Sequence, residues 1–268
     1  MRANRLAQAS ALAVLVVAAT AASPLARPLA GDDLTFRATV IVRRGDGQGS
    51  GAVIASAPGE TLVLTAAHVV HGKGPVVIEV HRFNLGREHS EAVTGWPVAL
   101  VGEVAAEDRS ADVAVVRVRG KEAMPFVARL TAPGDEPDPG AAVTSIGVDG
   151  GAKLESWRTR VRDVSWFSMG PDPVADPRPF LITEKAPVPG RSGGGLFLED
   201  GRLSGVCVGR IERPRGRAWG VFAAPESVRL LLRDHDLETS VARSEAAHDQ
   251  QALNGHSATT LRRSSPTP

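Results

Sequence analysis

From Thr35 onward, apolar positions fall in short runs or alternate with polar ones, and turn-forming residues separate the runs. A first set runs roughly Phe36–Arg43, Gly51–Ala55, Thr61–Thr65, Val76–Phe83, Val98–Glu103 and Asp112–Val118. A second set runs Ala141–Gly147, Lys153–Val164, Pro179–Thr183, Gly195–Leu198, Leu203–Val208 and Ala218–Ala223. β-branched residues dominate many of them, and Gly, Pro, Asp or Ser punctuate them, so about a dozen strands are predicted. That pattern predicts an all-β fold, a barrel or a sandwich.

The segment Ala132–Gly140 carries three Pro and two Gly, which predicts a loop crossing between two halves, residues 34–131 and 141–241. Met169–Pro179 is a second proline-rich loop. After Pro225 the pattern turns helical, with Val228, Leu230, Leu231 and Leu232, and Pro225 suits the first turn of a helix. Residues 242–268 are polar and end Ser-Ser-Pro-Thr-Pro, which reads as a disordered tail.

Composition changes the picture in three places. The formal net charge of +1 gives no electrostatic reason to expect nucleic acid as a partner. At the N-terminus, Arg2 and Arg5 precede the apolar stretch Leu12–Ala19 and then small residues, the layout of a cleaved secretory signal. The stretch is short for spanning a bilayer, which takes roughly 20 apolar residues. The expected leader is residues 1–22, with a second candidate cut after Ala30, followed by a linker over 23–33. The expectation is therefore an exported protein, secreted or periplasmic, with no stable membrane association once the leader is removed. Loss of Arg2 and Arg5 takes the formal charge from +1 to −1. Cys207 is the single cysteine, so no intramolecular disulfide can form and the core alone must hold the fold. It sits between Val206 and Val208 and reads as a small buried hydrophobe.

Three separated segments carry candidate chemistry. Leu64-Thr65-Ala66-Ala67-His68 places a histidine just after an apolar strand. Asp112-Val113-Ala114-Val115 places an acid at the start of another. Pro189-Gly190-Arg191-Ser192-Gly193-Gly194 places a serine in a glycine-rich turn leading into a third. A serine hydroxyl needs a base within hydrogen-bond reach to act as a nucleophile, which is the role expected of His68. A buried carboxylate, expected of Asp112, fixes the histidine tautomer and stabilises the imidazolium. Acyl transfer also needs backbone N–H groups aimed at the developing oxyanion, and those of Gly190 and Ser192 are the candidates. Neither a metal nor a cofactor is called for; His68 and His71 without nearby Cys or carboxylate partners make a weak zinc signal.

At these residues the chain resembles the trypsin-like serine peptidases, closest in style to the bacterial HtrA-type branch. The resemblance rests on Gly49-Ser50-Gly51-Ala52-Val53-Ile54, Thr65-Ala66-Ala67-His68, Asp112-Val113-Ala114-Val115 and Gly190-Arg191-Ser192-Gly193-Gly194, in the family's order His, Asp, Ser. It covers roughly residues 35–235 and implies two perpendicular six-stranded antiparallel β-barrels with the site in the cleft between them. It also implies an endopeptidase acting on protein or peptide substrates. Asp108 is a rival acid, but an apolar strand directly follows Asp112, as the family pattern requires. By the same resemblance Ala186 should lie near the base of the primary specificity pocket, with Val208, Gly209, Arg210 and Gly220 along its walls. No acid stands at the base, so a small or medium apolar side chain is the expected preference. Arg210 could narrow the pocket or bind an acidic group.

The chain departs from the family at Arg191, where Asp or Asn is usual. In the digestive and clotting branch that acid pairs with a new N-terminus after zymogen cleavage, a pair Arg191 cannot make. Gly195 replaces a usual proline, and no PDZ domain follows Asp236. Arg191 motivates the competing reading, a non-catalytic peptide-binding double barrel. An α/β-hydrolase esterase fits poorly, because His68 precedes the serine and Leu196 onward reads as strand.

Overall fold

The computed structural model describes residues 34–87, 95–150, 153–171 and 176–263, with side chains as far as Gln250. The expected leader and linker lie outside the described residues. Among the described residues, twelve strands form two closed barrels of six strands each. The first comprises β1 (Thr39–Arg44), β2 (Gly47–Ala57), β3 (Glu60–Ala66), β4 (Val76–Val80), β5 (Val98–Asp108) and β6 (Val113–Val118). Its order around the barrel is β1-β2-β3-β6-β5-β4, all antiparallel. The second comprises β7 (Ala142–Asp149), β8 (Lys153–Phe167), β9 (Arg178–Thr183), β10 (Gly195–Phe197), β11 (Leu203–Arg213) and β12 (Arg217–Ala223). It closes as β7-β8-β9-β12-β11-β10, the same connectivity as the first, although no sequence repeat betrays it.

Each barrel owes its closure to residues that a flat sheet would not need. β2, β5, β8 and β11 all shift register at a bulge, which bends and twists the strand as closure requires. Val40, Val42, Val53, Val63, Ile78, Val116 and their neighbours fill the first barrel. Val143, Leu181, Leu196, Cys207 and Phe222 form a smaller cluster in the second. The largest cluster joins the two, with Ile54, Leu62, Leu64, Val113 and Val115 from the first barrel against Ile146, Phe180, Phe197 and Val206 from the second. Burial of this shared face, at roughly 25 cal/mol per Å² of apolar area, ties the halves together without a disulfide.

Among the described residues four α-helices accompany the barrels: α1 (Leu34–Arg37), α2 (Ala67–Val70), α3 (Pro225–Asp234) and α4 (Glu238–Arg263). Residues 242–268 were expected to be a disordered tail; instead the chain continues as α4 through Arg263. α4 lies against β2 of the first barrel. Ser244 is completely buried there; its hydroxyl accepts the Ser56 N–H at 2.8 Å and donates to the Ser56 carbonyl at 3.2 Å. Ser240 donates to Glu60 on β3 at 2.7 Å, and His248 reaches the Met124 carbonyl. The face of α4 that docks is thus Ser240, Val241, Ser244 and His248, a helical spacing carried mostly by polar residues. An apolar period does not mark it, which is why the sequence pattern reads as tail.

Replacing Ser244 with alanine should leave the buried Ser56 N–H unpaired and lower unfolding free energy by about 1–3 kcal/mol, measured by urea denaturation. Burial raises the Glu60 carboxyl, but the Ser240 hydroxyl and Arg117 outweigh it and hold it below its ordinary 4.5. A depressed folded value stabilises the docked state above the unfolded value, and the gain is lost as pH falls through the folded one. Protection of α4 amides in hydrogen exchange should therefore weaken below pH 4.5, and Glu60→Gln should flatten that dependence.

Candidate active site

The histidine and the acid meet because β3 runs directly into α2. α2 has no side-chain cap of its own. Its first free N–H groups find acceptors on Asp112 instead: Ala67 N–H donates to the Asp112 carbonyl at 3.0 Å and His68 N–H to Asp112 Oδ1 at 2.9 Å. The other carboxylate oxygen, Oδ2, lies 2.6 Å from His68 Nδ1. One acid therefore caps the short helix and orients the imidazole. Asp112 takes a left-handed backbone, φ 54°, a conformation that Asp tolerates better than most residues. Its side chain is 10% exposed, while that of His68 is 47% exposed.

Asp108, the rival, is committed elsewhere. One of its oxygens accepts from Ala111 N–H at 3.0 Å and the other pairs with Arg178 at 2.8 Å. It stiffens the turn that delivers Asp112.

The serine loop leans on the first barrel at its glycines. A Cβ on Gly49 would lie 2.6 Å from a Val69 methyl of α2 and 2.7 Å from the Ser192 carbonyl oxygen, so Gly49 is the point where helix, strand and serine loop touch. Gly193, at φ 82°, could carry no Cβ either: it would stand 2.1 Å from the Ser50 carbonyl and 3.0 Å from the Ala66 nitrogen. The loop is therefore packed on the strand end that precedes His68. The ring of His68 and the Ser192 hydroxyl do not form a hydrogen bond in the structure; such contacts are often open before substrate arrives.

The backbone of this loop can be accounted for group by group. Pro189 C=O accepts from Gly150 N–H at 2.9 Å, and Gly190 C=O from the Ser50 hydroxyl at 3.0 Å. Arg191 C=O accepts from Gly194 N–H at 2.8 Å, and Ser192 C=O from Ser50 N–H at 2.7 Å. Among donors, Arg191 N–H goes to Val188 and Gly193 N–H to Cys207. That leaves Gly190 N–H and Ser192 N–H, for which no acceptor stands among the described residues. In a trans peptide the C=O and N–H point opposite ways, so the bonds that hold the carbonyls of Pro189 and Arg191 also fix the directions of these two donors. Two free, half-buried amides beside a serine make a receptor for a negative oxygen.

Arg191 itself is completely buried. Its Nε donates to Asp149 at 2.6 Å, and its other nitrogens to Ser145 O, Ser145 Oγ and Glu155 O at 3.0, 3.2 and 3.3 Å. The guanidinium also lies 4.8 Å from the centre of the Trp157 ring. Sequence reading flagged Arg191 but missed these partners. Ser145, Gly147 and Asp149 lie on one face of β7, a period of two that was visible as a strand and silent about its cation.

Of the residues expected to line a specificity pocket, Val208 is buried and Ala186 half-buried. Gly209 sits at the β11 bulge with φ 154°. Gly220 faces Arg210 in register, and a Cβ on it would stand 2.8 Å from the Lys185 carbonyl, so the backbone next to Ala186 closes on β12 there. Arg210 is exposed and pairs with Glu212 at 2.8 Å. Burial pushes the Cys207 thiol up to about 12, so it stays neutral and serves as backbone support for Gly193 and Gly194.

A family model described as the trypsin-like peptidase domain matches residues 49–206. No curated protein matches the sequence. Among solved structures, the inactive form of a Ser343Ala mutant of Rv3671c from Mycobacterium tuberculosis H37Rv is 24% identical, with a TM-score of 0.58, covering 80% of this chain and 96% of that one. The active form of the Rv3671c protease is 22% identical at a TM-score of 0.58, covering 82% and 93%. The protease domain of MamO from Magnetospirillum magneticum is 18% identical at 0.57, covering 73% and 96%.

Gly193→Ala should be among the most damaging substitutions in the loop. The positive φ and the clash with the Ser50 carbonyl together predict a loss of at least about 2 kcal/mol, read as a lower urea midpoint.

Proposed function

The chain belongs to the trypsin-like peptidase domain family, and we propose that it is an exported serine endopeptidase whose triad is His68, Asp112 and Ser192. The observation that carries this reading is the Asp112 carboxylate, with one oxygen on the His68 N–H and the other on its ring nitrogen. An acid held that way fixes the proton on Nδ1 and leaves Nε2 as the base. Ser192 Oγ attacks the substrate carbonyl while its proton passes to Nε2, and the imidazolium is stabilised by Asp112. The new oxyanion is received by the amides of Gly190 and Ser192. Nε2 then protonates the leaving amine, and water, activated by the same histidine, releases the acyl group from Ser192.

The packing of Gly49 against Val69 of α2 and the Ser192 carbonyl, and of Gly193 against the strand end before His68, supports convergence of the three side chains. Arg191 is the ground for a non-catalytic alternative, a peptide-binding double barrel; the buried and hydrogen-bonded state of its guanidinium supports the catalytic reading. For the substrate we retain a small or medium apolar side chain beside Ala186, Val208, Gly209 and Gly220, with Arg210 at the rim.

A fluorophosphonate probe should label the folded protein, and Ser192→Ala should abolish the label. Asp112→Asn should slow peptide cleavage by about four orders of magnitude, since it disturbs the tautomer as well as the charge. A folded wild-type protein that takes no label would sink the reading.

A further inference from the structure

We propose that Asp149 and Gly150, at the end of β7, are the positioning element for the oxyanion-receiving amides, with the buried cation of Arg191 as its handle. The inference rests on the peptidase reading and adds to it a pair that assembles the site without any newly made chain end.

These two residues grip the serine loop on both sides of Gly190. On one side Gly150 N–H holds the Pro189 carbonyl at 2.9 Å; on the other Asp149 holds Arg191 Nε at 2.6 Å. Gly190 lies between, at φ 94°, a residue whose peptide groups could rotate readily if left alone. Rotation of the Pro189–Gly190 peptide would turn the Gly190 N–H inward and put a carbonyl where the oxyanion must sit. Holding the Pro189 carbonyl prevents that flip.

β7 is shaped for this load. Ser145, Gly147 and Asp149 share a face, and the Arg191 side chain crosses it at Gly147. A Cβ on Gly147 would stand 3.0 Å from Arg191 Cγ and 3.0 Å from Ser50 Oγ, obstructing both the arginine and the hydroxyl that holds the Gly190 carbonyl. β8 completes the housing with the Glu155 carbonyl and the Trp157 ring. A fully buried guanidinium is costly to leave without its anion, so the loop follows Asp149. Nothing about catalysis requires an arginine before the serine; what it requires is that this residue be anchored.

The direct test is Asp149→Asn in the full chain. It keeps the shape of the side chain and removes its charge. Expected is a fall in kcat of about a hundredfold with KM within twofold, the size found when one oxyanion donor is lost. Affinity for a peptide trifluoromethyl ketone, which forms an oxyanion on Ser192, should fall by the same factor. Binding of the parent peptide to an Ser192→Ala background should not change. Because an unpaired Arg191 could prevent folding, the double change Arg191→Met with Asp149→Leu replaces the ion pair by apolar volume, and it too should lose about a hundredfold in kcat. Arg191→Lys, which can keep the ion pair but not the fork of bonds, should fall between.

Wild-type kcat in either the Asn variant or the apolar pair would overturn the proposal, as would a loss confined to KM. If the wild-type protein itself neither cleaves peptide nor takes the fluorophosphonate label, the peptidase reading fails first, and this inference with it.

Discussion

A guanidinium with no exposed surface stands one residue before the candidate nucleophile, and the local structure is organised around keeping it paired. Moving a cation out of water costs several kcal/mol even after relaxation, and only good geometry offsets that. Here four nitrogen-to-oxygen contacts and an aromatic face supply it, all from one hairpin of the second barrel. Once Arg191 is fixed, its carbonyl and that of Pro189 are fixed within a few bonds, and so are the directions of the two amides that find no acceptor among the described residues. The same hairpin reaches the first barrel through Ser50, whose hydroxyl accepts the Val148 N–H and donates to the Gly190 carbonyl. One β2 residue and one turn thus register the serine loop against both barrels.

The first barrel solves the corresponding problem for the histidine with less material. α2 spans only Ala67–Val70, too short to hold its own orientation by helix propensity. It is held by Asp112 at its N-terminal end and by the packing of Val69 and Val70 in the barrel core. The acid that orients the imidazole is therefore also what fixes the backbone carrying it. A substitution at Asp112 acts on geometry and charge together.

Much of this was legible in the sequence because barrel interiors impose an alternation that survives in single sequences. Val63 and Val116, or Leu181 and Phe222, announce buried strand faces whatever else the chain does. The pairing order was not readable from the runs themselves; the family motifs implied only two six-stranded antiparallel barrels. His68, Asp112 and Ser192 stood out because each sits at a strand end in a motif of small residues. The mode of anchoring Arg191 was not legible, since Asp149 lies 42 residues away and looks like any acid at a hairpin turn. α4 was missed for a different reason. Its docking uses Ser240, Ser244 and His248, whose hydrogen bonds to β3, to β2 and to the Met124 carbonyl contribute what apolar side chains supply elsewhere.

The sign of the charge before the serine has a wider consequence. An acid at that position needs a cation, and a cation needs an acid; the barrel can provide either from a strand on its own wall. When the partner is a side chain of the same barrel, as Asp149 is, the pair forms as that barrel closes and requires no later covalent event. The two contacts on either side of Gly190 tie the directions of the Gly190 and Ser192 amides to Asp149 and Gly150 at the end of β7.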